Sequence, residues 1–432
     1  MSRPDRRLVI VVRADPVICG HSVEARNLAE AAMARGFTDV RIVTWPIDRL
    51  QATGLPLKPL DTMLPYSAGI TVERPDPVGD YKLPDGRYLC GITGRLIELF
   101  TDGVETVALS LYLSPHTIAV NDALHVARQT GLPVNVTTVA EAVGSDVTNV
   151  VRNCVAQDRF GAAAHLLTTY LSSDHCLAVS EYTKEIIVDA ATEVDRLHGT
   201  NFAERCIERV GISYPAIDTA AYVNLDPVEI EERLAARGLV RDGYILFLSR
   251  LSPAKGVDDL IEAFAGSRAK DRVRLVIAGR GPAENDLRAL AAASSAADRI
   301  TFLDDVDDAE KPFLMAGAAA YSLPSKPLEE FVETFGIALA EKMLAGGGPV
   351  ITTLTGGIGE AVGHCALIHE PGDVDQLRAH LDHAVCDLST EERTAWEVRA
   401  RTYALQFDRL TILDRILARI DAAEAELVDL IG

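Results

Sequence analysis

Residues 8–12, LVIVV, are a continuous run of branched apolar side chains, the pattern of a strand covered on both faces. A glycine turn, VICGHS, follows, then VEARNLAEAAMARG, apolar at helical spacing and stopped by Gly36, then DVRIVTW. Strand, glycine turn, helix, strand is a βαβ unit, and its short crossover admits only a parallel sheet. The alternation resumes at ETVALSLYL, TIAVNDALHVARQTG, LPVNVTTV and HCLAVSEYTKEIIVDAATEV. A second series starts near residue 243 with GYILFLSRL and runs through GVDDLIEAFAGS, VRLVIAGRG, AENDLRALAAAS, RITFLDD, AAAYSLPS and GGPVITT.

Two such series in 432 residues imply two cores, because a single core stops growing well below this length. The expected fold class is α/β, two Rossmann-like doubly wound domains facing a central cleft, with ligands at the carboxyl ends of the strands. The polar stretch NLDPVEIEERLAARGLVRDG separates the series, so the domains are read as 1–225 and 226–405. A Pro- and Gly-dense region from Gly54 to about Gly94 is too long for a structureless loop and reads as a lid or a small insertion.

Charge narrows the partners. A formal net charge of −21 argues against nucleic acid or an anionic membrane, which are bound by clustered Lys and Arg. The seven cysteines are scattered with no CxxC pair, which suits free thiols in a reducing cytoplasm. The apolar start is too short and interrupted for a signal peptide or membrane span. The expected location is cytoplasmic, and a homodimer is allowed.

An anionic ligand must then be met locally. In SRLSPAKG, Arg250 and Lys255 follow a strand and precede a helix, where two cations and the free N–H groups of a helix start can clamp a diphosphate. In EFVETFGIALAEKM, Glu333 falls before a helix and Glu341 on its second turn. The amides of Phe335, Gly336 and Ile337 open that helix and can receive a phosphate, with Gly336 allowing close approach. One carboxylate can then accept from sugar hydroxyls and the other from a ribose. DDVDDAE, residues 304–310, reads as a solvated acidic loop.

SRLSPAKGVDDLIEAFA, LVIAGRGPAENDL, the Glu333-to-Glu341 pattern and GGGPVITTLTGGIGEAV together resemble the C-terminal half of the retaining glycosyltransferases of family GT4, group 1, whose fold is GT-B. GHSVEARNLAEAAMARG resembles that family's first glycine loop and helix. YALQFDRLTILDRILARI resembles its C-terminal helix crossing back onto the N-terminal domain, here about 406–432. The resemblance implies that Arg250 and Lys255 bind the donor diphosphate, Glu333 the donor sugar, Glu341 the nucleotide ribose, and Gly20 the phosphates from the other domain. It implies no metal and no cofactor beyond the nucleotide sugar as co-substrate, with a small-molecule acceptor. Two places depart from the pattern. The family's histidine after the strand VNVTTV is replaced by Ala140 and Glu141, so Glu141 is a candidate for the catalytic site. The usual Asn-Gly at the domain junction is replaced around Ala216 to Asp218. His21 in the first glycine loop and His116 in LSPHTIAV are open as acceptor or sugar contacts or as structural histidines.

Three functions are compatible with these residues. The leading one is transfer of a sugar from a UDP- or GDP-sugar to a small acceptor with retention, fitting specialised-metabolite or antibiotic biosynthesis. The others are a catalytically altered nucleotide-binding protein of the same fold and a nicotinamide-dependent oxidoreductase. Against the last, ADPVICGHSVE lacks G-x-G-x-x-G.

Overall fold

The computed structural model describes residues 6–79, 84–329 and 331–431. The chain divides into two compact units, Met1–Ala216 with Arg409–Gly432, and Ile217–Asp408.

The first unit holds a seven-stranded parallel sheet of β1 (Arg7–Val11), β2 (Val40–Val43), β3 (Ile70–Glu73), β4 (Thr106–Leu111), β5 (Val136–Ala142), β6 (His175–Ala178) and β7 (Val210–Ile212), in the order β3-β2-β1-β4-β5-β6-β7. Every residue of β1 and β4 is buried, including Arg7, Thr106 and Ser110, as strands covered by helices on both faces require. The helix Gly20–Ala34 packs on one face through Ala25, Leu28 and Ala32. Beside it lies the C-terminal helix Arg409–Ile431, which contributes Ile412, Leu413, Ile416 and Ile420 to the same core.

The region 54–94 is not a structureless loop. It supplies the edge strand β3, paired with β2 from Val40↔Ile70 to Val43↔Glu73, and the start of a helix, Pro84–Thr101. Its first part is tied to the chain leaving β1. Lys58 N–H donates to the Pro16 carbonyl at 2.8 Å, and Lys58 Nζ and Tyr66 Oη reach the Asp15 carboxylate at 2.9 and 3.2 Å.

The second unit holds a six-stranded parallel sheet of β8 (Tyr244–Leu248), β9 (Arg274–Ala278), β10 (Ile300–Leu303), β11 (Ala320–Leu323), β12 (Val350–Thr352) and β13 (Ala366–Ile368), in the order β10-β9-β8-β11-β12-β13. The polar stretch 224–243 lies inside this unit rather than between units. Its helix Pro227–Ala236 buries Ile230 and Leu234, and Ile217 N–H already donates to the Phe407 carbonyl at 2.9 Å.

In each sheet the chain winds outward in one direction and then in the other, reversing between β1 and β4 and between β8 and β11. The loops leaving those two strands diverge, and that opening is where doubly wound sheets bind ligands.

Candidate active site

The second unit brings its singled-out residues to the β8/β11 opening. After β8 the chain passes Arg250, turns through Pro253–Lys255 and enters the helix Val257–Gly266. Gly256 makes that entry with φ +66°, and a Cβ there would stand 2.0 Å from the Pro324 carbonyl oxygen in the loop after β11. Only glycine lets these two loops touch backbone to backbone. Gly279 and Gly281 do the same on the other side, where added Cβ atoms would lie 2.0 and 2.1 Å from the Ser249 and Leu251 oxygens. The glycines of the AGRG and AKG segments thus fix the path carrying Arg250 and Lys255.

Glu333 arrives on the loop after β11. Its carbonyl accepts from Gly357 N–H at 2.9 Å, so the GGIGE segment holds its backbone. Lys255 Nζ is ion-paired with Glu333 Oε2, both side chains being largely buried. Phe331 lies beneath the cations, 5.1 Å from Lys255 Nζ and 5.9 Å from the Arg250 guanidinium. Arg250 itself is exposed. The helix Ile337–Ala345 then starts at Gly336, φ +94°, with no side-chain cap and no acid in its first turn. A helix start of that kind presents N–H groups and the positive end of the dipole to an anion. Phe335 anchors it, buried edge-on against Phe407 at 5.0 Å. Glu341 is buried, and its Oε1 accepts from Tyr222 Oη and from Lys311 Nζ, each at 2.7 Å.

Arg250, Lys255, Glu333, Phe335, Gly336, Ile337 and Glu341 therefore share one strand end and one helix start. Sequence reasoning missed Tyr222 and Lys311, which lie 119 and 30 residues from Glu341. No spacing rule reaches that far. Phe331 was legible as an aromatic two residues before Glu333.

The first unit places Gly20 and His21 at the start of the helix Gly20–Ala34, after β1, and His116 after β4. His116 is buried with both ring nitrogens engaged: Nδ1 lies 2.7 Å from the Leu111 carbonyl, and Nε2 accepts from the Trp45 indole N–H at 3.3 Å. That pairing requires the neutral ring protonated on Nδ1. Burial first, and the Arg13 charge second, hold its pKa down to about 4. His21 is likewise held neutral, down to about 3, by burial with Arg13 and His116 adding to it. Its Nδ1 has no hydrogen-bond partner.

Glu141, expected to face a ligand, lies at the end of β5 with none of its surface exposed. Neither carboxyl oxygen has a hydrogen-bond partner, and the adjoining groups are Glu24 from the first helix, Asp146 and Ser213. Burial drives its pKa well up, and the neighbouring Glu24 adds to the shift. Glu24 is also raised by burial, to about 7. Two like charges cannot both persist in such a place, so the pair keeps a proton. Among the described residues no group of three His, Cys, Asp or Glu side chains is placed to hold a metal, and no helix is long and apolar enough to cross a membrane.

The doubly wound parallel sheet in each unit makes this an α/β protein of GT-B fold. Over the whole chain the fold is that of solved glycosyltransferases. The Anabaena protein HepE in complex with UDP and glucose superposes with a TM-score of 0.67 at 18% identity, covering 96% of this chain and 99% of that one. Sucrose-phosphate synthase from Thermosynechococcus elongatus gives 0.66 at 16%, covering 98% and 100%. Residues 231–403 match the family model "Glycosyl transferases group 1". The O-antigen chain mannosyltransferase B of Escherichia coli is 30% identical over 174 residues, 40% of this chain and 44% of its own length. A GDP-mannose-dependent alpha-(1-6)-phosphatidylinositol monomannoside mannosyltransferase of Mycobacterium tuberculosis is 33% identical over 196 residues, 44% of this chain and 50% of its own length. The chain spans about half the length of the curated relatives it matches.

Proposed function

We propose that the protein transfers a hexosyl group from a nucleoside diphosphate sugar to a small acceptor with retention of anomeric configuration. The observation that carries this reading is the meeting of Lys255 and Glu333 at the β8/β11 opening, beside an uncapped helix start. A diphosphate needs cations and N–H donors; a sugar needs a fixed carboxylate to accept from its hydroxyls. Both lie within one ion pair's reach.

In the reaction the bond between the anomeric carbon and the diphosphate oxygen breaks while the acceptor oxygen bonds to the same face. The acceptor proton passes to the departing diphosphate oxygen, and the nucleoside diphosphate leaves. Arg250, Lys255 and the amides at Gly336 and Ile337 neutralise the charge that grows on the leaving group, so we assign the reaction no cofactor. Glu341, held by Lys311 and Tyr222, is assigned to the ribose. The names of the relatives make mannose from GDP-mannose a donor to test first, with UDP-glucose beside it. A small acceptor of specialised metabolism is the substrate class we favour, on the strength of the inserted 54–94 segment.

A panel of nucleotide sugars, read by mass detection of released nucleoside diphosphate, tests the reading. Release from one sugar donor, with the anomer of the product retained, is the expected result; thermal stabilisation by NAD and by no nucleoside diphosphate would overturn it.

A further inference from the structure

No residue from 51 to 69 is buried, so apolar packing does not hold this segment in place. Polar ties do, and they converge. Lys58 Nζ donates to Asp15 Oδ1 at 2.9 Å and Tyr66 Oη to Asp15 Oδ2 at 3.2 Å, while the guanidinium of Arg74, just past β3, donates to the Asp15 carbonyl. Side chains at positions 58, 66 and 74 therefore end on one residue. The backbone follows the same line. Ile18 N–H donates to the Pro56 carbonyl at 2.9 Å and Lys58 N–H to the Pro16 carbonyl at 2.8 Å, with Val17 bridged antiparallel to Leu57. Residues 56–58 thus make a short ribbon with the chain that leaves β1 for the helix Gly20–Ala34.

Asp15 is itself fixed from the helix side. Its carboxylate, 2% exposed, accepts from Arg26 Nε and Nη2 at 3.0 and 2.8 Å and from Ser22 Oγ at 3.3 Å, both residues belonging to the helix Gly20–Ala34. Arg26 also reaches the segment, donating to the Leu64 and Pro65 carbonyls at 2.7 and 3.2 Å and lying 3.8 Å over the Tyr66 ring. One cation neutralises one carboxylate, and Arg26 already does so. What the Lys58 contact adds is the position of the segment that carries it. That segment meets the fold at the carboxyl end of β1, on the rim of the β1/β4 opening where a doubly wound sheet receives a ligand. Chain that is exposed along its length and fastened at one point is the material of active-site lids and walls.

We propose that Asp15 is a positioning residue: through Lys58 and Tyr66 it fastens residues 54–66 as a wall that limits the entry of water into the first unit's opening. The wall's part in transfer rests on the transferase reading above; the fastening does not.

The test uses the full chain with Lys58→Met and Tyr66→Phe together, which empties the segment's side of Asp15 and leaves Arg26 to neutralise it. Hydrogen exchange at the Ile18 and Lys58 amides, which bond across the ribbon, should quicken at least ~10-fold, with the amides of β1 and β4 unchanged. Lys58→Arg, which keeps the cation, should exchange like the parent. With the sugar donor alone and water as acceptor, the double variant should release nucleoside diphosphate at least ~3-fold faster at saturating donor, with donor KM unchanged because the donor is assigned to the second unit. A contact that served stability alone would not raise turnover. Unchanged exchange would overturn the fastening, and faster exchange with unchanged or slower hydrolysis would overturn the wall. If neither the parent nor the variants release nucleoside diphosphate from any nucleotide sugar, the transferase reading fails and the wall with it, while exchange still decides the fastening, so the two fail separately.

Discussion

Lys255 and Glu333 neutralise each other at the place where one is expected to meet a diphosphate and the other a sugar. The ligand must therefore take Lys255 from its counter-ion. Lys255→Ala removes a charge-assisted contact and should weaken nucleoside diphosphate binding by about 10- to 100-fold, measured by calorimetry. Glu333→Gln should behave differently: turnover falls at least ~10-fold, whereas the bare nucleoside diphosphate binds equally or more tightly because Lys255 is released. Parallel losses in both measurements would remove Glu333 from the sugar site. The second carboxyl pair, Glu24 and Glu141, predicts a pH effect. Both folded pKa values are raised, so the native state holds a proton that the unfolded chain releases above the usual carboxylate range. The associated stability is present below about pH 4.5 and is lost as pH rises through about 7. Glu141→Gln should match the parent's melting temperature near pH 5 and exceed it by roughly 3–8 °C at pH 8. Equal curves would mean that the pair is solvated.

At the scale of an element, the helix Ile337–Ala345 is held at its far end as firmly as its start is left open. Lys342 is fully buried on it, and its ammonium donates to the carbonyls of Met315, Gly346 and Gly347. Burial draws its pKa down to about 7. The glycine run it binds has φ of +79°, +79° and +93° at Gly346, Gly347 and Gly348, conformations that need glycine. Lys342→Met keeps the volume and leaves three carbonyls without their donor, so it should cost on the order of 3 kcal/mol, read from denaturant midpoints. The helix itself was legible in ALAEKMLA, which is made of strong helix formers. Its burial of a lysine was not, because a lysine within a helix reads as solvated unless the carbonyls above it are known.

At the scale of the whole molecule, the first unit is discontinuous in sequence. Ile412, Leu413, Ile416 and Ile420 enter its core from a helix that follows the entire second unit. Burying four such side chains contributes roughly 6–12 kcal/mol as an upper bound, comparable to the net stability of a domain. A chain ending at Asp408 should therefore lose the first unit's protection in limited proteolysis while the second unit stays resistant. Resistance of both would show that the helix is dispensable.

The sequence by itself determined the local alternation and its sense. Branched apolar runs demand strands covered on both faces, helical spacing demands crossovers, and glycines at the strand ends mark where loops approach closely. It therefore also placed the second unit's candidate residues, since Arg250, Lys255, Glu333 and the opening of the Ile337–Ala345 helix are short-range consequences of strand-to-helix turns. The tertiary structure alone decided which charges meet. Lys311 and Tyr222 reach Glu341, Glu24 lies against Glu141, and Lys58 and Arg26 share Asp15. These pairings join residues 30 to 119 positions apart, or compete for one carboxylate among several cations. Sequence periodicity specifies the face on which a side chain emerges, and nothing in it specifies the partner that a distant element brings to that face.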